Sequence, residues 1–258
     1  MKITILGCGP SQGVPVIGQN WGDCNPKNPK NRRSRPSISI EKNGKNILID
    51  TSPDIRTQLL DNNIKEVHAV LYTHLHYDHV GGIGELRTLS YLAKRRIGVF
   101  STGEILKELK KNWSYLFVES NNFESQLYKP VADLNQIEYG KFFSTHGIQI
   151  FPFKQDHGVC ETVGFRLGDF AYSTDVVNLD EKAFSALDGI KVWVVDCLRE
   201  APHPTHSHFD RTISWIQRLK PERTILTHMN FQADYEQLKA RCPKGVEPGY
   251  DGLILEIN

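Results

Sequence analysis

Cysteine is scarce in this sequence and unpaired in pattern. Cys8, Cys24, Cys160, Cys197 and Cys242 are scattered, odd in number and include no C-x-x-C pair. Such spacing indicates neither a disulfide framework nor a cysteine-based zinc cluster. Long apolar runs are missing too: no window approaches the roughly 18 consecutive apolar residues of a spanning helix. The opening Met1-Lys2-Ile3-Thr4-Ile5-Leu6-Gly7 is a short strand pattern without a signal-peptide apolar core, so the expected compartment is the cytoplasm and no membrane partner is expected. Charge of one sign is absent as well. A formal net charge of +1 provides no field that would by itself draw nucleic acid or a membrane. What is present is enough apolar material, 39% of 258 residues, for a sizeable core. No low-complexity linker and no short-period repeat divides the chain, and a single domain over residues 1–258 is expected.

The most informative stretch is Thr73-His74-Leu75-His76-Tyr77-Asp78-His79. It follows the apolar run Val67-His68-Ala69-Val70-Leu71-Tyr72 and precedes Val80-Gly81-Gly82. A lone buried histidine is ordinarily a hydrogen-bonding core residue. Three imidazoles and one carboxylate within six positions at a strand's end form a metal-binding turn, and that ligand chemistry suits zinc, manganese or iron. Further ligands are expected at other strand ends. His157 follows Ile148–Lys154, Asp175 ends Phe170-Ala171-Tyr172-Ser173-Thr174, and His228 ends Thr224-Ile225-Leu226-Thr227. Taken singly each reads as a cap or surface residue; taken together they supply enough ligands for two cations.

Alternating patterns predict strands at 2–6, 37–41 and 45–50, the latter two joined by the hairpin signal Lys42-Asn43-Gly44. Helices are expected over 54–60, 83–94 (Ile83, Leu86, Leu89 and Leu92 on one face), 104–111, 207–219 and 234–241. Further strands are expected at 67–73, 97–100, 148–154, 162–167, 170–173, 192–196, 224–226 and 253–257. Strands in bunches followed by helices predict an α+β fold with two sheets faced by helices. Residues 19–36, rich in asparagine and proline, read as a surface loop. Residues 112–136 read as irregular and aromatic, packing beneath a long loop or forming a substrate lid. Gly9 to Gly13 matches G-x-S-x-G formally. Pro15 and Gly18 follow where a nucleophile elbow needs a helix, so an open glycine-rich loop is expected around Ser11.

With these residues in view, the chain resembles the metallo-β-lactamase superfamily over essentially its whole length, most specifically in His74-x-His76-x-Asp78-His79. The resemblance implies a four-layer αββα sandwich with metals at one edge. It implies that His74, His76 and His157 hold one metal, that Asp78, His79 and His228 hold another, and that Asp175 bridges both. Gly7-Cys8-Gly9-Pro10-Ser11-Gln12-Gly13-Val14-Pro15 and Glu247-Pro248-Gly249-Tyr250-Asp251-Gly252 are similar to the branch that contains ribonuclease Z and the phosphodiesterases of phosphonate breakdown. Ile47-Leu48-Ile49-Asp50 resembles the motif whose aspartate fixes ligand histidines. His203-Pro204-Thr205-His206-Ser207-His208 resembles the branch's histidine motif, which matches His206 to the catalytic histidine ahead of His203 and His208.

The implied activity is that of a phosphodiesterase with two divalent cations, zinc or manganese, acting on a small nucleotide-like or cyclic diester. Asp78 and His206 are its expected catalytic residues, with a water shared between cations about 3.5–4 Å apart. Hydrolysis of lactones or thioesters, tRNA processing and non-catalytic metal or nucleotide binding are the alternatives. Nucleic acid ranks below a small-molecule partner because residues 100–145 lack a glycine-rich basic arm. A homodimer is compatible with the family. Members of the branch often carry a structural zinc on a cysteine-rich loop; here only Cys24 remains near residues 18–27 and Phe231 stands where a partner histidine would be. The loop is therefore expected to be ordered by hydrogen bonds involving Asp23 and its asparagines. Arg32, Arg33 and Arg35 are candidates for a phosphate clamp, with solvated surface as the plainer reading.

Overall fold

A computed structural model describes residues 1–119 and 129–257. Among the described residues the strands form two seven-stranded sheets. In the first, β1 (Lys2–Gly7), β2 (Ser37–Lys42), β3 (Lys45–Ile49), β4 (Ala69–Leu71), β5 (Ile97–Ser101) and β6 (Ala132–Gln136) are joined at the β1 edge by β14 (Ile254–Glu256). The second runs β7 (Phe143–Thr145), β8 (Ile148–Asp156), β9 (Glu161–Leu167), β10 (Phe170–Ser173), β11 (Val192–Asp196), β12 (Arg223–Thr227), β13 (Val246–Pro248). Each sheet is mixed: β3 to β6 run parallel, as do β10 to β13, while β1–β2–β3 and β7–β8–β9 are antiparallel.

Both faces of each sheet are covered, which explains the unbroken apolar character of the central strands. Ile3, Ile5 and Leu6 in β1, Ala69–Leu71 in β4 and Trp193–Val195 in β11 are all buried. The covering helices are amphipathic. They are α1 (Ile55–Asp61), α2 (Tyr77–Val80), α3 (Leu86–Ala93), α4 (Gly103–Asn112), α5 (Glu181–Leu187), α6 (Phe209–Leu219) and α7 (Tyr235–Arg241). Helix α6 buries Phe209, Thr212, Trp215 and Ile216 at three- and four-residue spacing, and α4 buries Ile105, Leu106 and Leu109. Asp180 and Asp234 cap α5 and α7, accepting from Ala183 N and from the amides of Glu236 and Gln237.

Three expectations need correction. Residues 112–136 are not irregular throughout: a 3-10 turn spans Ser114–Leu116 and β6 is a parallel edge strand whose polar residues hide it from a hydrophobic pattern. The lid expectation falls in part on residues outside those described, including Phe123 and Tyr128. Leu92 does not join Leu86 and Leu89 in the core; it is 63% exposed, because the helix face narrows as α3 ends at left-handed Lys94. Residues 19–36 are not simply surface. Asn31 and Arg33 within them are buried.

Arg33 is the anchor of that segment. Its Nη2 donates to Ala233 O at 2.7 Å and to Asn31 Oδ1 at 3.3 Å, and Nη1 donates to Asn230 O at 3.2 Å. Asn31 Nδ2 and the Asn25 amide both donate to Asp234 Oδ2, and Asp23 N donates to Phe231 O at 2.9 Å. Phe231 lies on Gly22, where a Cβ would fall 2.3 Å from its ring. At the other end of the segment, half-buried Asp251 accepts from the amides of Cys8 and Ser34 and from the Ser34 hydroxyl. Burial pushes the Asp251 carboxyl up to about 6, against the lowering effect of these donors.

Two expectations follow. Arg33→Met leaves the Ala233 carbonyl buried without its donor and should cost about 1–3 kcal/mol in urea unfolding. A carboxyl whose folded pKa is raised stabilises the fold most below its unfolded pKa, and that contribution is lost as pH rises through the folded value. The stability difference between wild type and Asp251→Asn should therefore move in favour of the wild type as pH falls from about 6 toward about 4.

Candidate metal centre

The C-terminal ends of β3, β4, β8, β10, β11 and β12 open onto one edge of the two sheets, and each strand ends in, or is followed within three residues by, a residue of the candidate site. Asp50 follows β3. Its Oδ1 accepts from Thr73 N at 2.8 Å, and its Oδ2 accepts from Thr73 Oγ1 at 2.8 Å and from His79 Nδ1 at 2.7 Å. One buried carboxylate thus fixes the turn after β4 and orients the His79 ring with Nε2 directed at Asp78 and Asp175, 3.3 and 3.0 Å away. The backbone repeats the clamp: Thr51 N donates to His79 O and Gly82 N to Thr51 O. Gly82 must lack a side chain here, since a Cβ would sit 2.1 Å from Ser52 O.

Asp175 lies at the centre. Oδ1 is 3.8 Å from His74 Nε2 and 3.6 Å from His157 Nε2, while Oδ2 is 3.0 Å from His79 Nε2 and 3.4 Å from His228 Nε2. Ligand atoms of His74, His76, His157 and Asp175 form one compact group; those of Asp78, His79 and His228 form a second, with all atoms of a group within 4.8 Å of one another. A third such group combines Asp175, His206 and His228. All seven candidate residues are therefore brought together, with Asp175 facing both groups. His157 is oriented from the opposite sheet edge, its Nδ1 donating to Thr205 O at 2.6 Å. Gly158 allows that approach: at φ +82° it is in the left-handed region, and a Cβ would lie 2.7 Å from Pro204 O.

The electrostatics call for cations. Asp78 and Asp175 are buried, yet their neighbours in the cluster are imidazoles. Burial would drive the His79 pKa down, but Asp175, Asp78 and Asp50 together hold it well above the usual value. Burial and the nearby His79 charge hold His74 well below it. Asp175 stays depressed despite its burial, chiefly through His228 and His79. His74 Nε2 and His79 Nε2 are buried without a hydrogen-bond partner. Orphaned ring nitrogens facing buried carboxylates are what a divalent cation would satisfy, and the nitrogen–oxygen donor set suits it. The residues present therefore fit metal ions.

His206 stands against the cluster, 4.7 Å from the His157 ring and stacked at 4.6 Å on His228. Its Nδ1 donates to Asp196 Oδ2 at 2.9 Å, and the same oxygen accepts from Val176 N at 2.9 Å. Burial opposes the charged form of His206, but Asp196 raises its pKa to about 9. Asp196 was not singled out in the sequence, although it ends β11 as Asp50 and Asp175 follow their strands. The other candidates lie elsewhere. Ser11 is exposed in a turn closed by Gly13 N to Pro10 O. His208 occupies the position before α6, and its side chain makes no capping hydrogen bond. Arg33 is buried as described, Arg35 Nε pairs with Asp54 at 3.0 Å, and Arg32 lies over Trp21.

Known proteins carry the same fold. The sequence profile of the β-lactamase superfamily domain matches residues 45–229. An octanoyltransferase of Porphyromonas gingivalis is 30% identical over 256 residues, 98% of this chain and 51% of that protein. A ribonuclease Z of Metallosphaera sedula is 26% identical over 209 residues, 79% of this chain and 62% of its own. The chain thus spans about half to three-fifths of these curated relatives, and half of the octanoyltransferase has no counterpart here. Among solved structures, a diphosphatase from the PhnP family superposes with a TM-score of 0.90 at 32% identity, covering 100% of this chain and 98% of that one. Zn(2+)-bound PqqB from Methylobacterium extorquens superposes at 0.74 with 20% identity and covers 100% of both chains, a likeness of fold alone.

Asp50→Asn removes one acceptor from the clamp on Thr73 and His79. Metal affinity measured by chelator competition is expected to fall about 10- to 100-fold, with the fold retained by circular dichroism.

Proposed function

Because this chain belongs to the metallo-β-lactamase superfamily, in its PhnP- and ribonuclease Z-like branch, we propose that it is a phosphodiesterase holding two divalent cations, zinc or manganese. In this reading His74, His76 and His157 hold one cation, Asp78, His79 and His228 the other, and Asp175 both. Residues 1–258 act as one unit, since both sheets contribute ligands. When bound, such cations supply Lewis acidity toward a phosphate oxygen and make water a competent nucleophile near neutral pH.

The chain's own groups do the rest. Asp50 and Thr205 O hold the His79 and His157 rings so that Nε2 of each faces inward. Asp78 keeps a carboxylate oxygen within 3.5 Å of both His79 and His228, where it can ligate or accept the nucleophile's proton. His206, with Nδ1 committed to Asp196, directs Nε2 away from that carboxylate. That nitrogen is placed to stabilise charge on the phosphoryl group or to protonate a leaving alkoxide. This Asp196–His206 pair beside two ligand groups is the observation that carries the reading. A proton donor serves an alkoxide leaving group, and the diphosphatase and ribonuclease Z relatives act on phosphoryl compounds by their names. A small, nucleotide-like diester is the proposed substrate. Among the described residues no helix is long and apolar enough to cross a membrane.

The test is turnover of bis(p-nitrophenyl) phosphate with added zinc or manganese. His206→Ala should lower kcat about 10²- to 10³-fold while retaining metal, through lost stabilisation of phosphoryl charge, since p-nitrophenolate leaves without a proton. Asp78→Ala should abolish turnover and lower metal content; undiminished turnover in Asp78→Ala would overturn the mechanism.

A further inference from the structure

His203 sits on the loop between β11 and α6, and the mechanism above gives it no task. Its ring centroid lies 5.3 Å from that of His206, so it extends outward the row of imidazoles formed by His228, His206 and His157. Its side chain is committed on one side only. Nδ1 is 3.3 Å from Thr205 N and 3.2 Å from Thr205 Oγ1. A backbone amide can only donate, so Nδ1 is the acceptor and the ring proton of the neutral imidazole belongs on Nε2. On the far side of the ring, Nε2–H has no protein acceptor among the described residues. Partial burial, followed by the His206 and Arg199 charges, lowers the His203 pKa and favours this neutral form.

We propose that His203 is a substrate-contacting residue whose Nε2–H donates to a non-bridging oxygen of the phosphoryl group bound beside His206. The division of labour is chemical. His206 is tied to Asp196 and serves as the charged proton donor, whereas His203 is a neutral, pre-oriented donor that gains strength as charge builds on the phosphoryl oxygens. The inference rests on the phosphodiesterase reading for its choice of ligand.

A competing role is built into the same geometry. His203 holds Thr205, and Thr205 O holds the His157 ring, so the imidazole could serve only to anchor the loop. Two variants separate these roles. In His203→Asn, the amide oxygen can still accept from Thr205 N, two residues on, as asparagine does in an Asx turn, while the Nδ2 donors fall near the position of the ring's Cδ2 and do not reach where Nε2–H reaches. In His203→Ala both functions are lost.

Each holoenzyme is assayed for metal content, for kcat/KM on bis(p-nitrophenyl) phosphate, and for inorganic phosphate binding by titration calorimetry. His203→Asn is expected to keep wild-type metal content, to lose about 10- to 100-fold in kcat/KM and to bind phosphate correspondingly more weakly. His203→Asn within twofold of wild type in both readouts, with His203→Ala losing metal, makes the residue a loop anchor and overturns the proposal. If the wild type turns over no phosphodiester, the phosphodiesterase reading fails by itself. Phosphate binding then decides the His203 contact alone: weaker binding in His203→Asn supports it and unchanged binding overturns it.

Discussion

The Asp175 carboxylate is the constraint on which the site depends. It is 1% exposed, and its two oxygens face two different sets of imidazoles drawn from both sheets. A buried carboxylate costs several kcal/mol unless positive charge meets it. The sheets must therefore be held so that four histidines converge on one point, with cations or protons supplying the charge. That requirement is met largely at strand ends: no loop longer than a few residues separates Asp50, His74, Asp175 or His228 from the strand that places it, and His79 follows on the short α2. Short tethers on packed strands leave little freedom to be frozen when a ligand binds, which is how a rigid scaffold preorganises a site.

The same placement is recorded in the backbone. Asp50, Asp175 and His228 all adopt left-handed φ, at 63°, 51° and 60°. Such conformations cost of the order of 1 kcal/mol or more for residues other than glycine, and they persist where surrounding structure over-determines them. Here it does. Asp50 is fixed by three donors, and Thr162 Oγ1 donates to Asp175 O. The residues flanking His228 are fixed as well: Met229 N donates to Cys8 O and Cys197 N to Thr227 O. Turning the chain sharply at the strand's last residue swings each side chain from the strand's alternation toward the shared centre.

The seven ligand candidates were legible because each stands next to an apolar run, so the strand announces the site. Asp50 and His206 were legible through motifs of neighbouring residues. Asp196 was not, since a single aspartate at the end of a strand is also the ordinary start of a turn; its role appears only when the β11–α6 loop folds His206 back onto it. Arg33 misled in the opposite direction. Within Arg32-Arg33-Ser34-Arg35 it reads as one of a solvated basic run, yet tertiary structure buries it against the carbonyls of residues 230 and 233. β6 escaped because an edge strand beside a mixed sheet carries Asp133, Asn135 and Gln136, residues whose polarity signals a loop. Local pattern thus recovers what is apolar and periodic, and fails where a polar residue's partner is distant in sequence.

The amino-terminal loop shows how far such distant pairing reaches. Arg33 and Asn31 bind residues 230–234, Asp251 binds Cys8 and Ser34, and Cys8 O binds Met229 N. These bonds fix the chain just after His228, so the position of one candidate ligand is set in part by a segment two hundred residues earlier in the chain. On the opposite side, the loop holding His203 and His206 sets the His157 ring through Thr205 O. The candidate centre is therefore gripped by two peripheral loops as well as by its strands. A change in either loop acts on the chemistry through ligand orientation, without touching a ligand directly.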